Sequence, residues 1–476
     1  MMPPKGIGLR SQQFALISRI EHQMSTDTEI GRLLDSITRD SNYRELSEVQ
    51  KRNIYLIKKR YDEQTALPEE LVAEIAKQSA LTVDIWKKAK AAKEYSMFKP
   101  DLEKLLELQK KAAEILMKVK NTATPYDALI DKYEPNMTAQ TISKTFNELR
   151  EGLVTLIKKC QNAPKQPDPT VLKRKIPIEA QRKLAKALAE FVQYDVSSKQ
   201  SGGRIDETEH PFTIGYYDDV RITTHYYEDD FASSMLGVLH EAGHALYEQD
   251  LPKDWMYQPV GSVCSMGFHE SQSRMVENII GRSSEFWTNF YSKLKETTGD
   301  ALTDVTREKF VHAINQVRPS KIRVEADEVT YGLHIIIRFN IERDLFANKI
   351  TVNELPQIWN QSYRDYLGVE IEHDSEGVMQ DTHWAGGSYG YFPSYALGNI
   401  YGGQLLATME QSLSDWRTQL ANGSFNEIRN WMINNVHAHG NLYDPADLIK
   451  RITGTELSIK PFLNYLNQKF SNLYGY

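Results

Sequence analysis

The run from Asp229 to Gln249 most narrows what this chain can fold into. Met235, Leu236, Val238, Leu239, Ala242, Ala245 and Leu246 recur at helical spacing over a broad face, so a buried helix is expected. His240, Glu241 and His244 fall inside that run with the spacing H-E-x-x-H. Two imidazoles and a carboxylate in a buried helix are costly unless something pairs with them. Residues four apart share a helix face, so His240 and His244 can aim at one point, which suits a tetrahedral zinc ion. Glu241 is turned by about 100° from His240. It can therefore reach a water beside the ion rather than the ion itself, the place of a general base in a metallopeptidase. Asp230 is the expected N-cap, Asp229 adds negative charge at the positive end of the helix, and Pro252 closes the region.

Such a site uses three side chains and keeps one position open, so a third ligand must come from elsewhere. No further histidine follows at the spacing H-x-x-G-x-x-H, since residues 245–250 read Ala-Leu-Tyr-Glu-Gln-Asp. Glu248 lies a turn too far along the helix. A second helix is expected from Phe268 to Ile279, with Glu270 and Glu277 on one face, two turns apart. Either could ligate. Glu270 is preferred, and only one of the two is expected to point at the site.

The 476 residues suffice for a large core, and 41% hydrophobic with 25% charged is a globular composition. Lys plus Arg number 57 against 64 Asp plus Glu, a formal charge of −7, which argues against nucleic acid as a partner. With only Cys160 and Cys264 there is no disulfide framework, and a reducing compartment is expected. Met1 to Gly6 holds no apolar signal core, and the apolar run Ile335-Ile336-Ile337 stops at Arg338, so neither export nor a membrane span is expected and the location is read as cytoplasmic.

Along the chain, about the first 200 residues read as polar-faced helices: 11–22, 43–64, a start at Pro68-Glu69-Glu70, 81–95, 101–120 and 138–159. Pro164 to Pro169 is the clearest linker. Strand character appears at Val220 to Tyr227, with His210 to Ile214 as a pairing partner, giving a small antiparallel sheet ahead of the H-E-x-x-H helix. Its edge could take an extended peptide by strand addition. A helix is expected from Ile322 through Arg338, and a loop rich in glycine and tyrosine from Gly386 to Tyr395.

Six stretches then occur in one order: His210-Pro211-Phe212; Asp219-Val220-Arg221-Ile222-Thr223 (D-x-R-x-T); His240 to His244; His269-Glu270-Ser271-Gln272; Ile322-Arg323-Val324-Glu325-Ala326-Asp327 (I-R-x-x-A-D); and Gly377 to Trp384 (G-x-x-Q-D-x-H-W). Together they resemble the carboxypeptidase Taq family of metallocarboxypeptidases. The resemblance implies a mainly α fold, a helical zincin similar to neurolysin and angiotensin-converting enzymes, with a deep substrate groove. It implies one catalytic domain over 1–476 in two helical halves, about 1–200 and 201–476, and a homodimer. It makes Glu270 the third ligand. Family members carry a further helix ahead of a stretch like Met2-Pro3-Pro4, where this chain begins, so one groove wall is expected to be incomplete.

The expected reaction is metal-dependent hydrolysis that frees single C-terminal amino acids from peptides with broad specificity. Zinc is the expected metal, though cobalt or manganese would suit the same ligands. Glu241 is the expected base, and Tyr395 and His383 the candidate donors to the oxyanion. Arg323 and Arg221 are candidates for the terminal carboxylate, since guanidinium pairs bidentately with carboxylate. Asp219, Thr223 and His210 complete the substrate-side candidates. The alternatives are an endopeptidase or peptidyl-dipeptidase of the same fold type, or a peptide-binding module without catalysis.

Overall fold

The computed structural model describes residues 4–476, so the Met2-Pro3 part of the N-terminal stretch lies outside the described residues. The fold is mainly α, with one three-stranded sheet among the described residues. Its contacts gather into two compact units that interleave along the chain: 1–146, 319–324 and 333–393 form the first, and 147–318, 325–332 and 394–476 the second. No helix of the described residues is long and apolar enough to cross a membrane. Both cysteines are buried and neither is in a disulfide.

The first unit opens with helices Ile7–Ser25, Thr28–Arg39, Glu48–Ala66, Glu69–Ala92 and Tyr95–Lys120. The helix expected over 43–64 is split. A 3-10 turn, Ser41–Glu45, precedes it, and Ser47 starts a new helix by trading side-chain bonds with Gln50 in a capping box. The stretch expected over 81–95 is the second half of Glu69–Ala92, which ends where Lys93 turns left-handed at φ 60°. Phe98, Leu102, Leu105 and Phe339 are buried in this unit, where Phe339 meets Phe146 edge to face.

The helix expected from Ile322 to Arg338 is also two pieces. Arg323–Glu325 is a 3-10 turn, and the long helix is Tyr331–Phe346. Asp327 accounts for the break: its carboxylate accepts the N–H groups of Val329 and Thr330 and the Thr330 hydroxyl, fixing a helix start beyond them. Arg323 therefore sits on a turn, not at the start of a long helix.

The second unit holds the sheet and the H-E-x-x-H helix, Phe231–Gln249. The sheet is mixed, not antiparallel. β2 (Thr213–Tyr216) runs antiparallel to β3 (Asp219–Thr224), but β1 (Gly203–Glu207) runs parallel to it, in the order β1-β3-β2. Residues 203–207 carry a weak alternating pattern, which is why the third strand escapes a sequence reading. Val220 and Ile222 are buried and Arg221 faces out, as the alternation predicts. Pro164 to Pro169 separates helices Ala139–Gln161 and Ile178–Phe191, and it lies within this unit rather than between units. Asp230 does occupy the N-cap of Phe231–Gln249, but its side chain makes no capping bond.

Helix Met266–Arg274 follows and passes into a π-helical turn, Met275–Ile280. It crosses Phe231–Gln249 at very close range. A Cβ on Gly243 would stand 2.6 Å from the Gln272 carbonyl oxygen and the Ser273 Cα, both of the facing backbone. On the other side, a Cβ on Gly398 would stand 2.6 Å from the Cβ of Glu270. Gly398 thus packs directly on Glu270, while Gly243 brings the backbone of Phe231–Gln249 against Gln272 and Ser273 of the same helix as Glu270. Gly243→Ala is expected to destabilise the protein by ~1–3 kcal/mol, the range for overpacking. Calorimetry would read this as a lowered Tm, and an unchanged Tm would contradict the close approach.

Candidate metal centre

His240 and His244 project from one face of their helix, and their rings meet edge to face at 4.9 Å. The His240 Nε2 is 3.7 Å and the His244 Nε2 3.3 Å from Oε2 of Glu270. A tetrahedral zinc ion with bonds of ~2.0–2.1 Å separates its ligand atoms by about 3.3 Å. The two nitrogen–oxygen distances approach that value, and all three donor atoms lie within 4.8 Å of one another, the donor set of a divalent-metal site. Among the described residues, these three form the one group of His, Cys, Asp or Glu that could hold a metal.

Glu277 is not turned away from the site. Its Oε2 accepts from His240 Nδ1 at 2.9 Å, which leaves Nε2 toward Glu270. Glu270 and Glu277 therefore hold different parts of one site, and Glu277 lies within the π-helical turn, which alters the helical phase expected from an unbroken helix. His244 has no such bond at Nδ1. Its ring lies face to face with His269 at 4.4 Å, and His269 Nε2 pairs with Glu248 Oε1 at 3.0 Å. Glu248, too far along to ligate, orients the ring that backs a ligand.

Arg274 links the acids. Its Nε donates to Glu270 Oε1 at 2.6 Å and its Nη1 to Glu277 Oε2 at 3.1 Å. Arg282 adds a bond of 3.2 Å to Glu277 Oε1. Burial opposes charging Glu270, but Arg274 and the two imidazoles outweigh it and hold the carboxyl far below its usual range. Glu277 is likewise held low, by Arg274, His240 and Arg282 against burial. Burial and neighbouring His269 push His244 down to about 3, so it is neutral and able to ligate near pH 7. Burial also weighs on His240, yet Glu270 and Glu277 raise it.

Glu241 is 7% exposed, and burial lifts its carboxyl above the usual value. The Thr213 hydroxyl donates to its Oε2 at 2.6 Å, so β2 holds the acid next to the ligands. Tyr395 meets Tyr331 edge to face at 6.4 Å, and the Arg274 guanidinium lies 4.1 Å from the centre of the Tyr331 ring. Arg221 is half-exposed and chelates Asp219 through two bonds of 2.7 and 2.8 Å. Thr223 is buried, and its hydroxyl accepts the N–H of Phe212, while His210 is exposed. Thr223 thus tethers the segment ahead of β2.

The remaining predicted residues belong to the first unit. Arg323 is 6% exposed and donates to Asp381 at 2.8 Å. Arg338, fully buried, bonds the other oxygen of Asp381 at 2.6 Å. Two guanidiniums thus share one carboxylate, which burial opposes but the pair holds far below its usual range. The His383 ring lies 4.5 Å from that of Phe392. The sequence reading missed Arg274, Arg338 and Thr213 as site residues. Arg274 carried a signal, four residues after Glu270 and three before Glu277, where helical ion pairs form. Thr213 carried none, because its contact with Glu241 exists only once β2 is placed.

Glu277→Ala is expected to weaken metal binding by about 10–100-fold, as loss of a residue orienting a ligand does. Glu270→Ala, which removes a ligand atom, should weaken it more. Metal titration followed by elemental analysis would check both, and unaltered affinity in Glu277→Ala would contradict the role given to its bond with His240.

The comparisons with known proteins agree with this chemistry. The chain is 41% identical to Thermostable carboxypeptidase 1 of Thermus thermophilus over 482 residues, covering 100% of this chain and 94% of that protein. It is 39% identical to Carboxypeptidase 1 of Bacillus subtilis over 473 residues, covering 99% and 93%. It superposes on the crystal structure of an M32 carboxypeptidase from Deinococcus radiodurans with a TM-score of 0.92, at 34% identity, covering 100% and 94%. The family model for Carboxypeptidase Taq (M32) metallopeptidase matches residues 1–470. With a divalent-metal donor set in place and this match over almost its whole length, the chain belongs to the carboxypeptidase Taq (M32) family of metallopeptidases.

Proposed function

We propose that this metallocarboxypeptidase releases amino acids singly from peptide C-termini, with broad preference, at a zinc ion held by His240, His244 and Glu270. The spacing of the Nε2, Nε2 and Oε2 atoms beside a buried Glu241 supports this reading most directly. Cobalt or manganese would suit the same donors. Bound there, the metal supplies Lewis acidity to the scissile carbonyl and to the attacking water.

Glu241 takes the water's proton and passes it to the leaving amine. A carboxyl lifted by burial serves both steps better than a fully exposed one. Thr213 fixes the oxygen that faces the reaction by bonding the other. Tyr395 donates to the developing oxyanion, a role supported by its contact with Tyr331 and thus with Arg274. His383 is the second donor on the strength of its family motif.

Arg323 is the better candidate for the terminal carboxylate. It lies in a buried cluster with Arg338 and Asp381, away from solvent screening, where a charge pair counts for more. Arg221 is matched one for one with Asp219 in solvent, where such a pair is worth little. β3, which carries Asp219 and Thr223, is the central strand, so the peptide backbone would add along β2, whose lead-in from His210 is held by Thr223. A homodimer in the cytoplasm completes the proposal, on family resemblance and on two buried cysteines outside any disulfide.

Glu241→Gln should keep its metal and lose ~10²–10⁴ in kcat, as expected for a missing general base. Near-normal turnover at full metal occupancy would remove Glu241 from that role. Arg323→Ala should lose ~2–5 kcal/mol in kcat/KM on peptides with a free C-terminus, the range for truncating a buried charge pair. Arg221→Ala should lose less. If both variants lose as much on C-terminally amidated peptides as on free ones, neither arginine reads the terminus.

A further inference from the structure

Glu342 lies on helix Tyr331–Phe346 and is fully buried. No cation bonds it among the described residues. Arg338, one turn earlier, directs its guanidinium to Asp381, Gln380, Tyr363 and the His334 carbonyl instead. Three neutral donors converge on the Glu342 carboxylate. The Tyr126 hydroxyl donates to Oε2 at 2.7 Å, the backbone N–H of Gly390 to Oε2 at 2.9 Å, and the Trp384 indole to Oε1 at 2.7 Å.

Two of these donors bracket one stretch of chain. Trp384 ends the G-x-x-Q-D-x-H-W motif, and Gly390 closes the following glycine-rich loop. Gly390 has φ +84°, and a Cβ there would stand 2.7 Å from the Leu129 backbone. Only glycine lets that N–H approach the carboxylate. Asp381, which holds Arg323, lies three residues before Trp384, and His383 lies immediately before Trp384.

We propose that Glu342 is a positioning residue for substrate binding: by tying Trp384 and Gly390 to one helix, it holds Asp381, and through it Arg323, ready for the terminal carboxylate of a peptide. This rests on the reading of Arg323 given above. An ionised carboxylate accepts all three bonds, whereas a protonated one must turn its own hydrogen on one of the donors. Burial pushes the Glu342 carboxyl up to about 7, against the pull of Gly390, Tyr126, Trp384 and Arg338. The other charged or titratable groups around it are Arg343 and Asp127, which act on Tyr126, and the phenol of Tyr389, which Tyr95 also faces. Burial keeps Tyr126 and Tyr389 uncharged. Glu342 therefore changes charge near neutrality and its phenolic neighbours do not.

The test uses the metal-loaded enzyme and an N-blocked peptide of apolar residues, whose one ionisable group is its C-terminal carboxylate, already charged throughout about pH 6–8. In the wild type, KM should rise several-fold from about pH 8 to about pH 6, as Glu342 takes up a proton. Glu342→Gln should show KM raised about tenfold, as for loss of a residue that supports a site, and flat over that range, with metal content and kcat near wild type. An unchanged KM, a surviving pH slope, or a loss confined to kcat would overturn the proposal. Should Glu342→Gln fail to fold, Trp384→Phe removes one donor and keeps a ring; it should raise KM less and retain the slope, and a wild-type KM would overturn the proposal equally. Arg323→Ala runs in parallel. If it leaves KM unchanged, the reading of Arg323 itself fails. If it raises KM while Glu342→Gln does not, only the role of Glu342 fails.

Discussion

The pairing of Arg274 with Glu270 and Glu277 is the interaction on which the centre depends. Two carboxylates cannot be buried together beside two imidazoles without a cation, and each unpaired charge would cost several kcal/mol. Arg274 answers both from within the same helical segment. It takes Oε1 of Glu270, so Oε2 is left toward His240 and His244. It also fixes Glu277, which fixes the tautomer of His240. Ligand geometry is therefore set by protein groups already in place, which lowers the reorganisation that metal binding must drive.

That lattice is workable because two glycines allow it. Gly243 lets one helix meet the backbone at Gln272 and Ser273, and Gly398 lets another meet Glu270 itself, where any side chain would separate them. The π-helical turn after Arg274 changes the phase of the segment just where Glu277 must meet His240. Sequence, backbone geometry and electrostatics thus converge on one oxygen atom, Oε2 of Glu270. In the first unit the same logic recurs in another form. Asp381 is shared by Arg323 and Arg338, and the loop carrying it hangs on a carboxylate that has neutral donors alone.

Much of this was legible in the chain itself. H-E-x-x-H aims two imidazoles at one point beside an acid because helical spacing is fixed by the backbone; spacing left Glu270 and Glu277 open as the third candidate, and the family motif favoured Glu270. The helix starts at Glu48 and Tyr331 were misplaced because local side-chain bonds at Ser47 and Asp327 interrupt patterns that are continuous in apolar residues. The parallel strand Gly203–Glu207 was missed because its alternation is weak and its partner is not its sequence neighbour. Glu277 was taken as an alternative to Glu270, since an unbroken helix offers one phase and a π-helical turn offers another. Thr213 and Glu342 had no sequence signal at all. Their roles come from contacts across 28 residues in one case and 216 in another.

The central claim is that the centre built on Glu270 cuts one residue at a time from a free chain end. Mass spectrometry of a peptide and its C-terminally amidated twin, each incubated with the metal-loaded protein, tests it most directly. The free peptide should yield a ladder of species shortened by single C-terminal residues, and the amidated twin should persist. Internal fragments, dipeptide steps, or equal attack on both peptides would contradict the account.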